Sequence, residues 1–329
     1  MSLRHSVAAA VAVATLSLAS AAWASPWALK PGEFYSELSG GFFSADTYYQ
    51  NRDDKRVSLG GTLEQRVVRS HNELGWKKRA SIWLDVPFVS RTWVSGANDA
   101  TSTGFGDFDF GIRYGMHLGT APVALNLGWT APLGSNRRLF PGTTGAGGLD
   151  GTSLTTLASG TGRDSSTFFA QGLQSLSAAL DIGGTLGKRA YYTLGGGYRT
   201  RFLSAGARAT TDRFADFTTG SASLGIWFSE HLLVTGSFAG EWQVSQGERY
   251  DRIAAPVPGA HGPELQSVNM LAGERITYRV DDRMDVFAGS WHNPSGRNTL
   301  HADQFYFGIA WKQTALDRLA GAYGGTKAH

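Results

Sequence analysis

The chain has 329 residues, 43 of them Gly, ten Trp and no Cys, with 42% hydrophobic and 17% charged side chains. Charge is low and Gly high for a soluble domain, and the lack of Cys excludes both a disulfide scaffold and a thiolate-ligated metal. The balance of 30 basic against 27 acidic side chains gives no footprint for nucleic acid, and an uncharged apolar stretch long enough to consider as a spanning helix occurs only at the N-terminus, which excludes a helical membrane bundle.

Residues 1–24 start with Arg4 and His5, run apolar from Val7 to Leu18 and end in Ala22-Trp23-Ala24, an A-x-A pattern ahead of Ser25. The short Ala-rich core and small-residue end predict a cleaved export signal rather than a membrane anchor.

Beyond Ser25 the apolar positions recur with period two, which marks strands with two unlike faces. Twelve such segments follow in order, at about 33–43, 58–73, 80–93, 104–116, 121–133, 166–186, 190–203, 214–228, 232–244, 266–280, 284–292 and 300–312. In the fourth, Phe108, Phe110, Ile112, Tyr114 and Met116 alternate with Asp107, Asp109, Gly111, Arg113 and Gly115. In the last, Phe305, Phe307, Ile309 and Trp311 alternate with Gln304, Tyr306, Gly308 and Lys312.

Short links at Leu74–Arg79, His117–Thr120, Gly187–Arg189, Ser229–His231 and Asp281–Arg283 alternate with long ones at about 44–57, 94–103, 134–165, 204–213, 245–265 and 293–299. Strict short/long alternation over an even number of strands predicts an all-β, antiparallel transmembrane β-barrel of about 12 strands over residues 25–312, with short turns and both termini in the periplasm. A secreted sandwich or propeller would also alternate. Strand length favours the barrel, because crossing a bilayer at a tilt takes about nine to eleven residues. Aromatics near strand ends, such as Trp76, Trp93, Trp129, Trp227 and Trp311, suit interfacial girdles. The charges and glycines of the second face suit a lumen and not a dry soluble core. The expected location is the outer membrane of a Gram-negative cell, and the expected partners are outer-membrane lipid and lipopolysaccharide, the barrel assembly machinery and a small-molecule solute.

Residues 74–134 carry three more specific elements: Pro87-Phe88-Val89, then Gly104, Gly106, Asp107, Gly111 and Tyr114 in one strand, then Pro132-Leu133-Gly134. They resemble the outer-membrane channel family named for the MetA pathway of phenol degradation, similar in role to FadL-type channels. The resemblance implies passive uptake of small hydrophobic or aromatic solutes; no enzymatic activity, cofactor or metal is expected of the chain. In one respect the chain departs from such barrels, which finish on an aromatic residue used in assembly. Here residues 313–329 follow the last aromatic strand, as a periplasmic tail whose Ala315, Leu316, Leu319 and Tyr323 could share one short helical face, or as a frayed end.

If alternate polar positions face inward, the lumen is lined by Glu37, Asp85, Arg91, Asp107, Asp109, Arg113, Asp181, Arg199, Arg201, Glu241, Arg275 and Arg279, with Lys312 near its end. Both signs are present, so these residues can set selectivity or pair and stiffen the wall. Twelve strands lie between a side-chain-filled eight-stranded barrel and an open sixteen-stranded channel, which predicts a narrow path. Pro87 removes a ladder hydrogen bond inside a strand and predicts a wall kink that narrows or opens the barrel.

The Asp107/Asp109 pair lacks the full spacing of a calcium loop, and Asp109 takes the place of the third Gly of a dinucleotide fingerprint. The Gly/Thr/Ser-rich connection 134–165, with Leu139 and Phe140, is long enough to fold into the mouth, and Tyr48-Tyr49 and Tyr250–Pro258 could add apolar surface at the same rim. Two other functions are compatible with such a barrel: a structural or adhesive role with a plugged lumen, and lipid hydrolysis. The hydrolase candidate is His292-Asn293-Pro294-Ser295, which has Pro294 between its base and nucleophile and no G-x-S-x-G nearby.

Overall fold

The computed structural model describes residues 28–50, 55–94, 100–131, 173–203, 216–244, 268–297 and 299–314. Thirteen strands run through them: β1 Glu33–Gln50, β2 Lys55–Lys77, β3 Ala80–Val94, β4 Ala100–Phe105, β5 Phe108–Leu118, β6 Ala121–Ala131, β7 Leu173–Leu186, β8 Ala190–Leu203, β9 Phe217–Trp227, β10 Leu232–Gln243, β11 Val268–Arg279, β12 Met284–Arg297 and β13 Thr299–Thr314. Sequence neighbours pair antiparallel except β4 and β5, which both pair with β3, and β1 pairs with both β2 and β13, which closes the sheet into a barrel. Closure satisfies backbone groups that lipid could not.

Twelve positions around the wall result because β4 and β5 share one. Phe88–Trp93 of β3 pair with β4, while Ala80–Asp85 of the same strand pair with β5. The segment expected as one strand at 104–116 is therefore cut at Gly106-Asp107. At the cut the Gly106 N–H donates to the Pro87 carbonyl at 2.8 Å, and a β-carbon on Gly106 would stand 2.9 Å from Pro87 Cγ. Two residues inserted between β4 and β5 restart the alternation, so Phe105 and Phe108 both face outward and their rings meet at 6.0 Å.

Several connections expected as long are mostly strand. β1 and β2 leave only residues 51–54 between them, β4 takes up Ala100–Phe105, and β12 and β13 are separated by Asn298 alone. Polar composition hid these extensions, yet their backbones find partners. Buried Tyr49 anchors this end, donating its hydroxyl to the Asn293 carbonyl at 2.8 Å and packing edge-on against His301. The short turns behave as expected: Gly119 and Gly187 hold φ of 63° and 69°, left-handed conformations that favour glycine. The export signal 1–24, the 134–165 connection, the Tyr250–Pro258 loop and residues 315–329 of the tail lie outside the described residues.

Parity sorts the side chains. Leu38, Val68, Ile112, Leu176, Ile276 and Phe307 stand exposed on the outer face, as a lipid-facing surface requires. The inner face is polar, with glycines where large rings lie flat. Gly111 and Gly128 are cross-strand partners beneath Trp83, and Gly225 lies beneath Tyr191. Part of the glycine excess is therefore room for inward aromatics. At the short-turn end the chain before β1 enters the mouth: Gly32 donates to the Gly75 carbonyl at 2.9 Å, and a β-carbon on Gly115 would stand 2.9 Å from Ala28 Cβ.

Candidate functional site

The lumen charges gather into networks because inward positions on neighbouring strands lie within side-chain reach. On one side, Asp85 of β3 accepts from Arg69 Nη2 at 2.9 Å and Nε at 3.1 Å, and His71 Nδ1 lies 3.0 Å from its Oδ1. Beside it, Arg113 Nη1 donates to Glu73 Oε2 at 2.5 Å, and the Ser81 hydroxyl donates to the same carboxylate. Arg113 Nε donates to Asn126 Oδ1 at 2.8 Å, and Asn126 Nδ2 donates to Asp181 Oδ2 at 2.6 Å. The chain Glu73–Arg113–Asn126–Asp181 thus crosses β2, β5, β6 and β7. Higher in the barrel, Arg91 Nε donates to Gln65 Oε1 at 2.6 Å, and Asp109 accepts from the Thr130 hydroxyl at 2.6 Å.

A second group lies across the lumen. Glu37 accepts from the Tyr35 hydroxyl at 2.8 Å and faces Arg275 Nη1 at 4.0 Å. The Arg275 guanidinium lies 3.7 Å from the Phe287 ring centroid, a cation–π contact. Arg199 pairs with Glu241 across β9, and Arg279 pairs with Asp285 at 3.7 Å while lying over Trp227. Lys312 meets Glu33 at 3.4 Å at the short-turn mouth. Arg201 holds an inward register position on β8, with its side chain outside the described set.

Burial separates this interior from an open aqueous pore. Glu37, Asp85, Arg91, Asp107, Asp181 and Glu241 are only 1–2% exposed. Charges this dry must be paired, and the networks above supply most of the partners. Glu73, Arg69 and His71 are as central as the residues expected from sequence, and period two in the second segment was the signal that could have found them.

Outside the same wall, a concavity of about 920 Å³ lies against β3, β5, β6 and β7, lined by apolar groups including Ile82, Leu84, Phe110, Leu127, Trp129 and Leu176. Phe110 and Trp129 meet edge-on at 4.8 Å. Just above, Phe88, Phe105 and Phe108 surround the cut between β4 and β5. Among the described residues β4 pairs with β3 alone. Pro87 of β3 lies beside the cut, its carbonyl accepting from the Gly106 N–H.

No protein-family model matches the chain, and no curated protein matches it in sequence. The fold matches a COG4313 outer membrane channel from Pseudomonas putida F1, with a TM-score of 0.61 over 88% of this chain and 98% of that one, at 11% identity. The NanC porin aligns over 84% of this chain and 100% of its own at 9% identity and a TM-score of 0.45. The KdgM porin in complex with disordered oligogalacturonate aligns over 84% of this chain and 98% of its own, at 6% identity and a TM-score of 0.40. The first match shows that the chain has the outer-membrane barrel fold.

Proposed function

We propose that the chain is an outer-membrane channel for passive uptake of small hydrophobic or aromatic solutes, as its resemblance to the phenol-degradation channel family implies. The observation that carries this reading is the contrast between the two faces of one wall. Inside, the charges are paired and nearly dry, which disfavours a wide path for hydrated solutes. Outside, an apolar concavity leads up to the cut at Gly106-Asp107. A hydrophobic solute dissolved in the outer leaflet would gather against Phe110 and Trp129 and pass the wall at the cut beside Phe105. It would then meet Asp107, Asp109 and the lumen networks, which select by size and polarity. In this reading Pro87, which has no N–H to offer the neighbouring strand, sets the interruption at Gly106-Asp107. The fold match described as a channel supports it further.

A plugged structural barrel is the competing reading, favoured by the dry lumen and by the segment at Ala28–Lys30 in the mouth. A third possibility is a general porin. Swelling of proteoliposomes separates the porin from both others. The channel proposed here admits ions and the smallest solutes slowly and excludes disaccharides; rapid disaccharide entry would replace it with a hydrophilic porin. The plugged reading is separated from it by solute uptake in cells.

A further inference from the structure

Four polar residues stand where the barrel should be apolar. Glu274, Ser290, His292 and Asp303 occupy outward positions of β11, β12 and β13, on the parity of Ile276, Tyr278, Phe305 and Phe307. Charged side chains on the lipid face are costly in proportion to their depth, so such a group needs a reason. The pairing brings them together directly: Glu274 is opposite Ser290, and His292 is opposite Asp303.

We propose that Ser290, His292 and Asp303 form a serine-hydrolase triad on the outer wall, acting on the acyl ester of a membrane lipid. Ser290 Oγ lies 2.9 Å from His292 Nε2, and His292 Nδ1 lies 3.0 Å from Asp303 Oδ1. Nucleophile, base and orienting carboxylate thus stand in line at hydrogen-bond distance, the geometry by which such triads are recognised on unrelated folds. Asp303 accepts the Nδ1 proton, which leaves the Nε2 lone pair facing the serine hydroxyl. The hydroxyl has a second acceptor in Glu274, whose Oε1 also lies 3.5 Å from His292 Nε2. Rotation of the proton from Glu274 to His292 prepares the attack, and the imidazolium that results sits between two carboxylates.

The chemistry balances with water as the only co-reactant. Ser290 Oγ bonds to the ester carbonyl carbon while His292 Nε2 takes its proton. The carbon–oxygen bond to the lipid alcohol then breaks, and the imidazolium returns the proton to the leaving alkoxide. Water attacks the acyl-serine, His292 takes its proton and passes it back to Oγ, and the fatty acid departs.

Location supports a lipid substrate. The β12–β13 ladder stops at the His292–Asp303 pair, and above it β12 follows β11 while β13 follows β1, with Tyr49 filling the fork. The β12 backbone bulges opposite Met270–Ala272 directly above His292, and bulges are common beside active sites because they re-aim side chains. Below lie Phe305 and Phe307, a surface for acyl chains. The site is on the half of the barrel away from the short turns, which is the outer-leaflet half if those turns are periplasmic.

The sequence offered Ser295 as the partner of His292; the structure puts Ser290 there, two residues before the histidine on the same face of the strand.

The full-length protein, refolded in mixed micelles, tests this. A fluorophosphonate probe should label it at Ser290, identified by peptide mass, and this arm needs no variant. Hydrolysis is then followed with vesicles of phosphatidylethanolamine and, separately, vesicles containing lipid A. Release of plain or of 3-hydroxy fatty acid identifies which lipid supplies the ester. Ser290→Ala and His292→Ala should each lower release by about a thousandfold or more, with the heat-resistant folded band retained on gels. Asp303→Asn, a change at a positioning residue, should lower kcat with KM unchanged, and Asp303→Glu should restore part of it. Ser295→Ala should leave labelling and release intact. Labelling at another serine, or none together with no fatty acid from either vesicle, overturns the proposal.

Discussion

Arg113 offers a quantitative test of how dry the lumen is. Its side chain is 6% exposed and that of its partner Glu73 5%, and its guanidinium joins Glu73 at 2.5 Å to Asn126 at 2.8 Å. Replacing it by Met leaves a buried carboxylate with only the Ser81 hydroxyl as the remaining hydrogen-bond partner described above. Breaking a buried pair from one side costs about 3–5 kcal/mol. Replacing Glu73 by Gln as well removes the stranded charge, so the double variant loses chiefly the hydrogen bond to Asn126, about 1 kcal/mol. Adding Glu73→Gln to Arg113→Met should therefore recover about 2–4 kcal/mol of the single variant's loss. Urea unfolding of the refolded barrel in lipid vesicles, followed by Trp fluorescence, measures both variants. A cost for Arg113→Met below about 1 kcal/mol would match a hydrated, exposed pair and refute the dry lumen.

Two further outcomes follow from the wall. Gly111→Val places a β-carbon on the Leu127 carbonyl and the Trp83 ring; it should abolish the folded band in gel-shift refolding, whereas Gly236→Ala, with open space at its position, should leave the band unchanged. Arg275→Gln removes the cation beside Glu37 and above Phe287, and should shift the reversal potential of any ion conductance toward cation selectivity.

The barrel was legible because period two and the rhythm of connections are local properties, carried by stretches such as Phe108–Met116 and Tyr192–Phe202. The extended ends of β1, β2, β12 and β13 were not, since their polar residues lie where neither lipid nor a core imposes alternation. The cut at Gly106-Asp107 shows in sequence only as a glycine before an aspartate; that it divides a wall position follows from Pro87 on the neighbouring strand. Parity alone places the lumen charges on the inner face, but their pairs depend on register. Glu73 was passed over beside the Leu74 turn, and its meeting with Arg113 spans 40 residues. Register also hid Asp303, which becomes a neighbour of His292 only when β12 and β13 align, whereas Ser290 shares a strand face with His292 by period two alone.

Solute entry into cells bears most directly on the proposed channel. A strain lacking the gene, complemented with the wild-type chain or with an empty vector, would be given a labelled aromatic hydrocarbon at low concentration and its initial rate of accumulation measured. The account predicts faster accumulation with the wild-type chain and no difference for a labelled disaccharide. Equal rates of hydrocarbon entry with and without the chain would contradict it.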